Sequence, residues 1–390
     1  MTERGTFDTF AIERVVYGEP AAPAVAAEVE RIGAQRVFLL ASATLHRETG
    51  LVDELLAALG PRSAGHYEGM PPHTPREAVV EAAAAARAAR ADLIVTFGGG
   101  SLTDAGKMVQ LCLAEGVETP GELDRFVART RPDGSEAPVA LGAPAVRQLT
   151  VPTTLSGGEF GSGAGCTDTA RRLKQLYRHR LYVPRSVVLD PAVTVHTPAW
   201  LWLSTGVRAV DHAVETLCSS RATARSDGPA IHALRLLGRG LRRSAADPGD
   251  LAARLDCQLG VWASMDHNQD KVPMGASHGI GHVLGGTCGV PHGHTSCVML
   301  PNVLRWNREV NAERQALVSE ALGRPGEDAA DVVGELVSAL GLPRTLAEVG
   351  VGPERFDEVA RNAMHDRYIY TNPRKIAGPE DVRAILELAR

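Results

Sequence analysis

The sequence predicts two domains: an α/β N-terminal domain with a doubly wound, mostly parallel sheet, and an all-helical C-terminal domain. Short apolar runs alternate with helical segments over residues 1–190, the pattern of helices packed on a parallel sheet. A glycine run follows one such strand and opens a helix. Beyond Pro198 the helical period takes over with few convincing strands. At 390 residues the chain exceeds the usual size of one core, and the reading divides it into domains 1–193 and 194–390.

The elements follow in order. Ala34–Ala41 reads as a doubly buried strand, and Val52–Leu59 as a helix ended by Gly60. Arg76–Ala91 is alanine-rich and strongly helix-forming, and Asp92–Phe97 is a second buried strand. Gly98-Gly99-Gly100 then turns the chain into a helix over Leu102–Ala114. Gln148–Val151 and Ser186–Leu189 are further strands, each stopped by a proline segment. Between them the glycine-rich stretch Gly157–Gly165 reads as backbone approaching a ligand or as a mobile loop. Arg129–Glu136, centred on Pro132-Asp133-Gly134, reads as an exposed loop. In the second half Ala230–Leu241, Leu251–Met265 and Arg314–Leu322 show helical periodicity.

Composition narrows the function classes. Apolar residues at 44% and charged residues at 22% suit a globular enzyme. A net charge of -5 offers no basic footprint for nucleic acid. No stretch approaches the roughly 18 to 20 apolar residues of a membrane span, and Met1–Phe10 lacks a signal-peptide pattern, so a cytoplasmic protein is expected. The six cysteines form no CxxC pair and read as free buried thiols.

Two constellations carry chemistry. In Gly98-Gly99-Gly100-Ser101-Leu102-Thr103-Asp104 a buried strand feeds a helix whose first N–H groups suit a pyrophosphate. A purely structural turn is the other reading of those glycines. His278 and His282 are four residues apart, on one face of a helix, and His292 follows fourteen residues after His278. Three imidazoles at this spacing suit a metal site or a proton relay.

Together with Pro152-Thr153-Thr154-x-x-Gly157-x-Glu159 and Lys107, these motifs resemble the iron-containing alcohol dehydrogenase superfamily, whose architecture is shared by dehydroquinate synthase. The resemblance implies NADH or NADPH as cofactor, with Gly99, Gly100, Ser101, Asp104, Thr153 and Thr154 lining the dinucleotide. Gly158 stands where the family usually has serine. Members that prefer NAD often place aspartate at the position of Ser42; without that carboxylate a 2′-phosphate is not repelled, so NADPH is expected to be tolerated. Ser42 also reads simply as a strand-end serine.

The resemblance further places His278 and His292 at metal-ligand positions and makes His282 the proton relay near the nicotinamide. Metal-dependent members read Asp-x-x-x-His; here His212 is present, but Arg208 occupies the aspartate position. His212, His278 and His292 thus remain as ligands for Fe2+ or Zn2+, and a guanidinium beside them opposes tight binding. Asp211, about 100° around the helix from His212, is not expected to substitute. Arg208 reads either as a fixed cation for a substrate carboxylate or oxyanion, or as a side chain that turns away and pairs with Asp211 or Glu215. Catalytic roles are expected for His282, Arg208 and His278.

Within the superfamily the maleylacetate reductase branch is the most similar, through Thr153–Glu159, His282–Thr287 leading into Pro291-His292, Asp366-Arg367-Tyr368 and Asn372-Pro373-Arg374. This implies hydride transfer from NAD(P)H to the double bond conjugated to the ketone of a small oxo diacid, with Arg374 a further carboxylate ligand, in a cleft between the domains of a homodimer. Other readings are a metal-dependent alcohol dehydrogenase or aldehyde reductase, a non-redox lyase or cyclase on the same fold, and a catalytically silent homologue.

Overall fold

The computed structural model describes residues 7, 9–130, 136–137, 139–171 and 173–390. The chain divides into two compact units, Phe10–Thr197 and Pro198–Arg390, the second also containing Phe7 and Thr9. The sequence places this division at 193/194, four residues earlier.

The first unit runs β1 (Arg14–Tyr17), α1 (Ala21–Ile32), β2 (Val37–Ala41), α2 (Ala43–Glu48), α3 (Leu51–Leu59), β3 (Ser63–Tyr67), α4 (Arg76–Ala88), β4 (Leu93–Gly98) and α5 (Gly100–Glu115). It continues with β5 (Arg129–Thr130), β6 (Glu136–Ala137), β7 (Arg147–Pro152), β8 (Gly163–Asp168), β9 (Leu173–Arg178) and β10 (Ser186–Leu189). Six strands form one parallel sheet in the order β1-β10-β7-β4-β2-β3. Its two faces are covered by different helices. Phe38, Leu40 and Ile94 pack with Val79, Ala83, Ala105 and Met108 of α4 and α5. The alternate residues Val37, Leu39, Val95 and Phe97 pack with Val25, Val29, Val52 and Leu55 of α1 and α3. Both faces of β2 and most of β4 being apolar explains why these two strands read as short apolar runs.

From β2 the chain moves outward to β3, returns past β2 to β4, and continues the other way. Ligands of open α/β sheets bind beyond the carboxyl ends of the strands at such a reversal. Ser42 and Gly98–Gly100 lie there.

The second unit is helical: α6 (Ala199–Cys218), α7 (Ala224–Ala246), α8 (Leu251–Ser264), α9 (His267–Asp270), α10 (Ala276–Cys288), α11 (His292–Ala321), α12 (Ala329–Ala339), α13 (Phe356–Ala363) and α14 (Pro379–Leu388). Asn311 breaks the helical geometry of α11 with φ -140°, so the Arg314–Leu322 periodicity belongs to a segment beyond a kink. No helix among the described residues is long and apolar enough to cross a membrane.

Several expectations change. β1 and β3, the edge strands, lack a buried apolar run and escape a hydropathy reading. Part of the glycine-rich stretch is strand: β8 pairs antiparallel with β9. The centre of the 129–136 loop lies outside the described residues, and its ends pair as β5 and β6. The six cysteines carry free thiols, all buried except the half-buried Cys288.

Candidate functional site

In the first unit the glycine turn lies under the loop that follows β7. Thr153 N donates to the Gly98 carbonyl at 3.0 Å. A Cβ on Gly98 would fall 2.3 Å from Leu102 Cδ1 and 3.3 Å from Ser42 Cβ, so the end of β2 meets the turn directly. Cβ atoms on Gly99 and Gly100 would lie 3.1 Å from Thr154 Cγ2 and 2.7 Å from Ser156 Oγ. The missing side chains thus first let the turn pack against its own neighbouring loop. They also leave α5 starting at Gly100 with no side-chain cap, so its N-terminus is available to an anion.

The other predicted cofactor residues have specific partners. Ser42 caps α2, its Oγ accepting from Leu45 N at 3.3 Å. Ser101 Oγ accepts from His73 N at 3.1 Å. Asp104 Oδ2 accepts from Gly165 N at 3.1 Å. Thr153 and Thr154 are buried beside the turn. The structure therefore gathers Ser42, Gly99, Gly100, Thr153 and Thr154 at the strand ends, while the polar atoms of Ser101 and Asp104 hold adjacent backbone.

Lys107, quoted in the motif, is fully buried. Its ammonium donates to the carbonyls of Gly158, Gly161 and Gly163 at 2.6, 2.8 and 2.8 Å. It fastens the glycine-rich segment onto α5. Burial lowers its pKa against the pull of Asp104 and Glu159. Burial also pushes the Glu159 carboxyl up to about 7, against its own backbone N–H and Lys107. Between its ordinary 4.5 and about 7 the folded protein keeps a proton that the unfolded chain has lost, so stability falls as pH rises through that window. Glu159→Gln is expected to flatten this fall, which is worth on the order of 3 kcal/mol at full extent. Urea midpoints of both proteins at about pH 5 and about pH 8 measure it; an equal fall in the variant would assign the slope elsewhere.

In the second unit, Arg208, Asp211, His212 and Glu215 occupy i, i+3, i+4 and i+7 of α6 and share one stripe. Asp211 is fully buried and faces the cluster: Ser277 and Ser296 donate to its Oδ2 at 2.8 and 2.6 Å, and His278 Nδ1 lies 3.5 Å away. This overturns the expectation that it points elsewhere. The angle from His212 was the wrong measure, since Asp211 is one turn from Arg208.

The Arg208 guanidinium is buried, donates to Ser296 Oγ at 3.0 Å, and stands 3.7 Å from Asp211 Oδ2 and 3.5 Å from His292 Nε2. Arg208 is therefore turned into the histidines while standing beside Asp211, and the reading in which it turns away to form its ion pair does not hold. Glu215 instead accepts from Gly275 N and Ser277 N at 2.8 and 2.9 Å and meets His278 Nδ1 at 2.7 Å. Burial, with Asp211 adjacent, raises the Glu215 carboxyl pKa. Burial, reinforced by Arg208, drives the His212 and His278 imidazoles well below their usual range, so both rings are neutral.

His278 and His282 share a face of α10, with ring centroids 6.3 Å apart. His292 is the first residue of α11 and its ring stacks on His282 at 5.5 Å. Gly293 makes that placement possible, since a Cβ there would lie 2.6 Å from the Ser204 backbone of α6. The His282 side chain is 35% exposed, and its Nδ1 lies 2.8 Å from Asp366 Oδ2, leaving Nε2 for an incoming group. Asp366 is held by Tyr368 N at 2.8 Å. Arg374 lies elsewhere: it stacks on Trp306 and donates to its carbonyl.

Whether a divalent cation fits is a question of donors. His278 Nε2 and His212 Nδ1 are buried without a hydrogen-bond partner, and their rings are 4.8 Å apart. Among the described residues of this unit, however, the donors that lie within 4.8 Å of one another are Asp211, Glu215 and His278, a set without His212 or His292. A permanent guanidinium charge already sits 3.5 Å from His292 Nε2. The residues do not fit a cation shared by His212, His278 and His292.

Sequence reasoning missed Asp366, Ser277 and Ser296 as partners. Glu215 was readable from its i+7 spacing to Arg208. Asp366 lies 84 residues from His282 and left no local signal.

Residues 13–191 match the family model for iron-containing alcohol dehydrogenase, and residues 202–390 match the C-terminal model of the Fe-containing alcohol dehydrogenase family. The chain is 34% identical to Dehydrogenase FUM7 of Gibberella moniliformis over 92% of each protein. It is 30% identical to a maleylacetate reductase of Rhizobium sp., covering 98% of this chain and 96% of that one. A solved structure of a putative alcohol dehydrogenase from Ralstonia eutropha superposes with a TM-score of 0.84 at 31% identity, covering 100% of this chain and 98% of that one. With both halves matched, the chain belongs to the iron-containing alcohol dehydrogenase family and is an oxidoreductase of that fold.

Proposed function

We propose that the protein is an NAD(P)H-dependent reductase of the maleylacetate reductase type, which reduces a small oxo carboxylate without a catalytic metal. The observation that carries this reading is the Arg208 guanidinium, buried among the histidines 3.5 Å from His292 Nε2, at the sequence position of the family's metal-binding aspartate. The maleylacetate reductase relative supports the substrate class.

The uncapped N-terminus of α5 at Gly99 and Gly100, with Thr153 and Thr154 beside it, suits the pyrophosphate. Ser42 leaves the ribose end without a carboxylate, which suits NADPH as well as NADH. When bound, the reduced nicotinamide supplies a hydride. Arg208 stabilises negative charge developing on the substrate carbonyl oxygen and attracts its carboxylate. His282 delivers a proton from Nε2 to the enolate carbon, while Asp366 holds the opposite ring nitrogen and fixes the orientation. Hydride plus proton saturates the conjugated double bond, so a 2-ene-4-oxo diacid becomes the saturated oxo diacid. His278, braced by Glu215, and His212 wall the site.

The test is NADH and NADPH oxidation against 2-ene-4-oxo diacids, aldehydes and quinone-derived ketones, with and without chelator. Turnover of the diacids that survives chelation is expected, and His282→Ala is expected to lower it roughly 10²–10⁴-fold with cofactor affinity retained. Diacid turnover unaffected by that substitution would remove the proton role. A metal-dependent alcohol dehydrogenase is the second reading, favoured by the unpartnered His278 Nε2. Aldehyde reduction abolished by chelator and restored by Fe2+ or Zn2+ would select it.

A further inference from the structure

A second group of donors lies in the first unit. His66 is the last residue but one of β3 and Glu68 follows at i+2, so in extended chain both project to the same side. Tyr67 between them turns the other way and donates to Glu81 at 2.9 Å. His46, on α2, faces this pair. Its Nδ1 contacts Glu68 Oε1 directly, and His66 Nε2 lies 3.2 Å from the same oxygen. The ligand atoms of His46, His66 and Glu68 all lie within 4.8 Å of one another.

Asp53 of α3 adds an independent observation. Its Oδ1 lies 3.1 Å from His46 Nε2, on the far side of the ring from Glu68. A carboxylate on the outer nitrogen of an imidazole is the arrangement that orients a metal-binding histidine and raises its basicity. The spacing is also suitable. Bonds of about 2.0–2.2 Å in a tetrahedral site put donor atoms about 3.3–3.6 Å apart, close to the 3.2 Å between His66 Nε2 and Glu68 Oε1, while His46 Nδ1 and Glu68 Oε1, now in direct contact, separate to admit the ion. Charge points the same way, because the recorded ion-pair partners of Asp53 and Glu68 among the described residues are these imidazoles and not a lysine or arginine. Partial exposure of His46, His66 and Glu68 leaves a path for the ion and a place for water.

We propose that His46 Nδ1, His66 Nε2 and Glu68 Oε1 form a site for a divalent cation of the zinc type, oriented by Asp53 and completed by water. Two imidazoles with one carboxylate favour a borderline cation over Mg2+ or Ca2+, which prefer all-oxygen shells. The ion cross-links α2, which Ser42 caps, to the end of edge strand β3. The proposal is independent of the reaction assigned above.

The experiment uses the full chain, equilibrated with zinc sulfate, desalted, and analysed for zinc per chain by mass spectrometry. His66→Asn and, separately, His46→Gln are each expected to hold one zinc fewer than the parent protein. Because both substitutions leave the histidines of the helical unit intact, the difference reports this site alone. Both replaced side chains are partly exposed, and melting curves of the zinc-free proteins check that folding is retained. Zinc content unchanged by both substitutions overturns the proposal.

Discussion

Replacing Arg208 with methionine is expected to lower kcat/KM for an oxo diacid by roughly 10²–10³-fold, the usual effect of removing one charge-stabilising donor from an active site. Methionine keeps the volume and removes the cation. Asp211 then remains buried with only the Ser277 and Ser296 hydroxyls on Oδ2, and is expected to take up a proton rather than stay charged. Affinity for NADPH is expected to hold, because Gly99, Gly100, Thr153 and Thr154 belong to the other unit. Arg208→Asp makes the complementary case. It restores Asp-x-x-x-His, and with the guanidinium gone from beside His292 the variant is expected to bind Fe2+ or Zn2+ and to become sensitive to chelator. Steady-state kinetics with a diacid, plus metal analysis, decide both arms. Full activity in Arg208→Met would remove the cation from the mechanism.

Lys107→Met is expected to destabilise the protein by about 3–5 kcal/mol, the scale of losing one partner from a buried charged network. Three carbonyls, those of Gly158, Gly161 and Gly163, lose their shared donor at once. Burial prevents water from replacing it, since Lys107 is 0% exposed. Glu159 and Asp104 also lose a neighbouring positive charge, so the Glu159 carboxyl is expected to rise further. Urea unfolding at neutral pH measures the change in midpoint. A shift below about 0.5 kcal/mol, the range of ordinary surface substitutions, would mean that the loop is held by other contacts.

What the sequence made legible follows burial. β2 is apolar on both faces, and β4 and β10 are nearly so, which leaves short apolar runs in the sequence, while α4 is rich in alanine. The edge strands Arg14–Tyr17 and Ser63–Tyr67 are partly exposed, and a four- or five-residue mixed segment has no periodicity to detect. α2 was missed because its six residues include one buried apolar side chain, Leu45. In the site, spacing on a single helix was readable, as for His278 with His282, whereas pairings made by tertiary packing were not. Asp366 with His282, and Ser296 with both Arg208 and Asp211, join segments more than eighty residues apart. Asp211 lies about 100° around the helix from His212 yet one turn from Arg208, so its place in the cluster shows only along the stripe.

Arg208, Asp211, His212 and Glu215 hang from one helix of twenty residues that is buried over most of its circumference. Their separations are therefore dictated by helical pitch, with seven residues spanning about 10 Å of rise. Such a rod fixes where the side chain at position 208 delivers its charge, whichever residue stands there. Chemistry of this kind can diverge by swapping a single rung, with no loop rebuilt and no partner repositioned.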